Sequence, residues 1–181
     1  MSVLVAVATR HGSTEEIADR IGSALAHAGL GVDVVRLPEP GAYGPRPAVE
    51  AYDAVVVGSA VYFGQWLRAA RDFVRENRQL LEQLPVWSFS SGPVESVMHR
   101  DQAEVEAAPD VVAGLGVVQH RTFAGRLRRD GLGRGERVVV AALRASDEDD
   151  RDWAEIDGWA RSIADVLVAW RASRTGAAPG A

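Results

Sequence analysis

The chain has 181 residues, 47% of them apolar, with a formal net charge of −5 and a pI near 5.4. That length and apolar content suit one domain with a full hydrophobic core, and the acidic balance gives no electrostatic reason to expect a nucleic-acid partner. The absence of cysteine excludes disulfides, thiol catalysis and Cys-ligated metal or iron–sulfur centres.

Residues 3–8 form a Val-rich apolar run, the pattern of a strand buried on both faces of a parallel sheet. The N-terminus lacks a basic leader region, and no run reaches the ~18 apolar residues of a membrane span, so the cytoplasm is the expected location. Glycine and hydroxyl residues follow at 9–14. Ile17, Ile21, Ala24, Leu25 and Ala28 then recur at helical spacing. Ser13 with Glu16 has the spacing of a capping box for that helix, and Gly29 and Gly31 are its expected stops.

A second strand is predicted over 32–37. Residues 38–50 hold four of the eight prolines and read as a loop. Ala54–Gly58 predicts a third buried strand, and the apolar spacing predicts a helix over about 65–83, ended by Pro85. Strands four and five are expected near 86–91 and 116–124, with a partly helical stretch at 95–113. Val138–Leu143 fits a strand or a buried helix equally. Asp147-Glu148-Asp149-Asp150 places negative charge at the start of a last helix, with Trp153, Ile156, Ala160, Ile163, Leu167 and Trp170 as its apolar face. Residues 1–172 are expected to be one domain and 173–181 a disordered tail.

Strands alternating with helices predict a doubly wound parallel sheet with helices on both faces. In such sheets ligands bind beyond the carboxyl ends of the strands, at the switch point. The segments to inspect are therefore 9–14, 59–66 and 90–95. Thr9-Arg10-His11-Gly12-Ser13-Thr14 joins a buried strand to a helix and carries three hydroxyls and a glycine. Free amides and the positive dipole end at a helix start favour a phosphate; an ordinary hydroxyl-rich helix cap has the same composition. The segment is neither a Walker A loop nor Gly-x-Gly-x-x-Gly. His27, His99 and His120 lack metal-ligand spacing, and nothing resembles a nucleophile elbow, so no metal site is expected and no catalytic side chain is nominated.

Thr-x-x-Gly-Ser-Thr after an N-terminal strand resembles the phosphate loop of the flavodoxin superfamily. Arg10 within that loop, Asp72-Phe73-Val74, Phe123-Ala124-Gly125-Arg126-Leu127 and Arg151-Asp152-Trp153 make the chain similar to flavodoxin-domain proteins related to menaquinone-dependent protoporphyrinogen oxidase. The resemblance implies a flavodoxin-like, five-stranded sheet of order 2-1-3-4-5 holding FMN. It implies that Thr9, Arg10, His11, Gly12, Ser13 and Thr14 surround the phosphate. Ser59, Ala60, Val61, Tyr62, Phe63 and Gly64 flank the flavin ring, and Ser90, Ser91, Gly92 and Pro93 supply the opposite loop. Tyr62 is expected on or beside the isoalloxazine, or else as a rim residue under the loop. Trp66, placed at the start of a helix, either shields the flavin or buries against the sheet.

The implied reaction oxidises protoporphyrinogen or a related donor and passes electrons to menaquinone or another quinone. Two alternatives stand beside it: an electron carrier serving a reductase, and a flavin-free binding domain. The 59–66 loop has no acid and is followed by Arg68 and Arg71, which weighs against the acidic surface of a carrier steering basic partners. Arg126, Arg128, Arg129, Arg134 and Arg137 lie beside Val138–Leu143. This 126–143 stretch fits porphyrinogen carboxylates, a peripheral membrane surface, or a solvated basic loop.

Overall fold

A computed structural model describes residues 1–44, 46–92, 109–126, 149 and 151–176. The strands are β1 (Ser2–Ala8), β2 (Gly31–Arg36), β3 (Ala54–Tyr62), β4 (Gln65–Trp66), β5 (Val86–Gly92) and β6 (Gln119–Ala124). The helices are α1 (Ser13–His27), α2 (Arg68–Glu76), α3 (Arg78–Leu81) and α4 (Trp153–Gly176). The sheet runs β2-β1-β3-β5-β6, all parallel, with β4 antiparallel on the end of β3. The five parallel strands take the expected order; β4 is a sixth.

Central β1 is apolar from Val3 to Ala8 because both its faces are covered, and Val3–Val7 have no exposed surface. One face carries Val3, Val5, Val7, Val56, Phe89 and Phe123 against Ile17, Ile21 and Leu25 of α1 and Ile156, Trp159, Ile163 and Leu167 of α4. The other carries Leu4, Ala6, Val55 and Val57 against Ala70, Phe73 and Val74 of α2. Trp159, rather than Trp170, supplies the inward tryptophan of α4: its ring packs edge-on to Phe89 and Phe123, while Trp170 is 38% exposed.

Several expectations are corrected. Residues 65–66 are a strand, not a helix start. Phe63 (φ 50°) and Gly64 (φ 74°) form a two-residue turn between Tyr62 and Gln65, which pair. Positive φ at both positions is the geometry that matches strand twist in a hairpin. The helix after it begins at Arg68 and is broken at Asn77, whose side-chain amide donates to the Phe73 carbonyl (2.8 Å). Ser13 does not cap α1. Gly12 is the N-cap, in the left-handed region (φ 86°), with no side-chain cap bond. The fifth parallel strand starts at Gln119, after a left-handed Gly116. Helix α4 runs from Trp153 to Gly176. Its start is capped by Asp152, which accepts from the amides of Ala154 and Glu155. The helical stretch expected before 109 and the Val138–Leu143 segment lie outside the described residues.

The α2 face of β5 and β6 contains a buried polar row. Ser88 pairs in register with His120, and Ser90 with Thr122. His120 Nδ1 lies 2.8 Å from Ser88 Oγ and Nε2 lies 3.4 Å from Thr122 Oγ1. Hydroxyls solvate the neutral ring, but burial penalises its cation and lowers the pKa from 6.5 to about 4.

Two outcomes follow from this packing. A Cβ on Gly58 meets the Phe89 ring at 2.1 Å, and Phe89 is held by Phe123 and Trp159. Gly58→Ala is therefore expected to cost about 2 kcal/mol in urea unfolding; an unchanged midpoint contradicts the packing. For His120, both states are neutral above its ordinary pKa. Below it the unfolded imidazole takes a proton that the folded one refuses until about pH 4. This one residue is expected to make the protein about 2 kcal/mol less stable at pH 5 than at pH 7. His120→Gln removes that part of the pH dependence, and an identical pH profile in the variant contradicts it.

Candidate functional site

The carboxyl ends of β1, β3 and β5 lie side by side because the three strands are parallel neighbours. All three segments singled out in the sequence therefore emerge at one edge of the sheet. The turn after β1 is the most built of them. Thr9 is 3% exposed, and its Oγ1 accepts a hydrogen bond from the Gly12 amide (3.0 Å). Gly12 then turns the chain in the left-handed region, at a cost only glycine avoids. The Glu16 amide closes the first helical bond onto the Gly12 carbonyl (3.0 Å). The amides of Ser13, Thr14 and Glu15 precede that ladder, and the N-cap, Gly12, has no side chain to cap them.

Thr14 is the polar side chain buried at this end of α1. It is 1% exposed, and its Oγ1 has no hydrogen-bond partner among the described residues. An orphaned buried hydroxyl costs about 1–3 kcal/mol. Uncapped first-turn amides, the positive dipole end and a buried hydroxyl are donors to an oxyanion. The acids of the first turn do not oppose it as free charges. Glu15 pairs with Arg36 (3.1 Å) and Glu16 with Arg151 (2.7 Å).

The second segment meets the first through aromatic and cationic contacts. The Arg10 guanidinium carbon lies 5.5 Å from the centre of the Tyr62 ring, and the His11 ring lies 6.4 Å from it. Tyr62 and Val61 are half-buried, whereas Phe63 at the hairpin tip is 94% exposed. Ser59 is turned inward: its hydroxyl donates to the Ala60 carbonyl (2.8 Å) and accepts the Leu67 amide (3.0 Å). These two bonds tie the end of β3 to the start of α2. Trp66 is buried, and its indole N–H donates to Ser90 Oγ (2.8 Å). That bond ties the second segment to the third. Ser90, Ser91 and Gly92 are buried beside Ser59 and Ala60 in register; Pro93 lies outside the described residues.

Sequence reasoning missed what stands behind the first loop. Arg151, at the head of α4, has a side chain only 1% exposed. Its Nε and Nη2 donate to the two oxygens of Asp149 (2.7 Å each), its Nη1 to Glu16 (2.7 Å) and to the Ser13 carbonyl (3.2 Å). The guanidinium lies over the Trp153 ring at 4.4 Å. Its bonds to Asp149 hold that carboxyl below, and the guanidinium above, their usual ranges. Arg126 lies 3.8 Å from both Glu16 and Asp149. The only sequence signal was the Arg151-Asp152-Trp153 string, read as a resemblance without a role. Among the described residues no group of His, Cys, Asp and Glu is arranged to hold a metal ion.

Comparison with known proteins agrees with this architecture. Protoporphyrinogen IX dehydrogenase (quinone) of Escherichia coli (strain K12) is 32% identical over 90 residues, covering 50% of this chain and 48% of that protein. The chain thus matches about half the length of the curated relative. The solved structure of oxidised Flavodoxin 2 from Bacillus cereus superposes with a TM-score of 0.54 at 19% identity, covering 91% of this chain and 99% of the other. Rubredoxin oxygen:oxidoreductase from Desulfovibrio gigas gives a TM-score of 0.55 at 14% identity, over 93% of this chain and 36% of the other. At these identities the two structures speak for the fold alone. The sequence profile described as "Flavodoxin domain" matches residues 4–153, and the chain therefore belongs to the flavodoxin domain family.

Proposed function

We propose that residues 1–172 bind FMN at this sheet edge and act as an FMN-dependent oxidoreductase. The observation that carries the proposal is the unpartnered, buried Thr14 hydroxyl at the uncapped start of α1. The residues present fit a phosphomonoester there: Thr14, the first-turn amides and the hydroxyl hydrogen of Thr9, whose oxygen already accepts from Gly12, lie on one turn, with Arg10 and His11 beside it. Tyr62 with the rest of 59–64, and 90–93 on the other side, would flank the ring. The Trp66–Ser90 hydrogen bond keeps these two walls at fixed spacing. Bound there, FMN supplies reversible acceptance of electrons or hydride. The protein's own residues bind the phosphate, orient the ring and exclude water from one side of it.

The donor and acceptor are proposed from the relative's name: protoporphyrinogen or a related reduced compound, and a quinone such as menaquinone. The lack of acids in 59–66 and the presence of Arg10, Arg68 and Arg71 support a small anionic substrate over the basic partner of an electron carrier. A cytoplasmic location and peripheral membrane contact through 126–143 belong to the same proposal. Of that stretch only Arg126 is among the described residues, and it is engaged with Glu16 and Asp149. No described helix is long and apolar enough to cross a membrane.

Thr14→Val separates the phosphate reading from an ordinary helix cap. Removing an orphaned hydroxyl at constant volume is expected to raise the unfolding midpoint of the flavin-free protein. Losing a donor to a charged oxygen should weaken FMN binding about tenfold or more, with riboflavin binding unchanged. Flavin absorbance and fluorescence quenching read both affinities. A variant that keeps wild-type affinity for FMN contradicts the assignment of Thr14. Turnover of protoporphyrinogen with menaquinone by the flavin-loaded protein tests the reaction; FMN binding without any such turnover overturns the choice of donor and acceptor.

A further inference from the structure

The Arg151 clamp lies directly behind the turn that receives the phosphate, yet its charge is already spent. Two guanidiniums (Arg151, Arg126) face two carboxylates (Glu16, Asp149), so the cluster is neutral and adds no net attraction for an anion. Nor is it explained by stability alone. A buried ion pair offsets its desolvation only with good geometry, and an apolar replacement of similar volume is often as stable. What this cluster does supply is direction. Arg151 Nη1 holds the carbonyl oxygen of Ser13 (3.2 Å) across 138 positions of sequence.

That carbonyl belongs to the same planar, trans peptide as the Thr14 amide, so the two point in opposite directions. Holding the oxygen from the α4 side aims the Thr14 N–H the other way, toward the turn at 9–12. The same residue carries the orphaned Oγ1. We infer that Arg151 is a positioning residue for phosphate recognition: locked by Asp149, Glu16 and the Trp153 ring, it sets the Ser13–Thr14 peptide so that the Thr14 amide and hydroxyl meet the bound phosphate. This rests on the FMN reading and deepens it.

Arg151→Lys keeps the charge but not the planar fork that spans Asp149, Glu16 and the Ser13 carbonyl together. In the full-length protein the variant is expected to lose about tenfold or more in FMN affinity while riboflavin affinity stays within about twofold. The Thr14 amide resonance should shift in the flavin-free protein and lose its response to FMN. Asp149→Asn, which loosens the fork without touching Arg151, should give the same pattern more weakly. Wild-type FMN affinity in a folded variant, or equal loss for FMN and riboflavin, overturns the inference. Loss of the folded state in both variants also overturns it, since the clamp is then a stability device only. A wild-type protein that takes up neither flavin is a different result and defeats the FMN reading itself.

Discussion

The N-terminus of a 15-residue helix, begun by a glycine with no side chain to cap it, is the constraint on which the rest of the structure turns. Gly12 places no side chain over the first amides of α1, and Thr14 buries a hydroxyl that nothing in the described chain satisfies. Such an end is costly in isolation. It persists because the surrounding structure is stiff: Val3–Ala8 of β1 beneath it are buried, α1 packs on α4 through Ile17 and Ile21 among others, and the turn is pinned by the Thr9–Gly12 bond.

The parallel sheet brings this local feature together with two others. Because β1, β3 and β5 are neighbours running the same way, the turn after β1, the 62–65 hairpin and the 90–92 segment share one edge. The Trp66–Ser90 hydrogen bond ties the second of these segments to the third, and the Leu67 amide donating to Ser59 Oγ holds the second together. Behind the edge, Arg151 joins the last helix to the first turn of α1. The element farthest along the chain thus sets the geometry of the loop nearest its start.

Much of this was legible in the sequence where burial dictates pattern. The Val runs of β1 and β3, the 3.6-residue spacing of α1 and the glycine after it follow from faces covered or solvated, and the strand order agrees with the resemblance. The failures are physical. Apolar spacing across 65–83 suggested one helix because periodicity is blind to the Phe63-Gly64 turn that makes β4. Ser13 and Glu16 had capping-box spacing, but a left-handed Gly12 moved the helix start by one residue and released Glu16 to Arg151. The sequence separation between Ser13 and Arg151 put their contact beyond any local pattern. At the sheet edge, the position of the hydroxyl-rich turn between β1 and α1 was readable, while the inward turn of Ser59 depended on the hairpin geometry.

The most direct test of the central claim is phosphorus-31 NMR of flavin mononucleotide with the purified protein. If the turn after β1 holds the phosphate, the resonance moves from its free position and no longer titrates across the ordinary second pKa of a phosphomonoester, near about 6, because burial among amides and hydroxyls fixes the dianion. A resonance that keeps the position and the titration of free flavin mononucleotide, while the flavin ring is bound, contradicts the account.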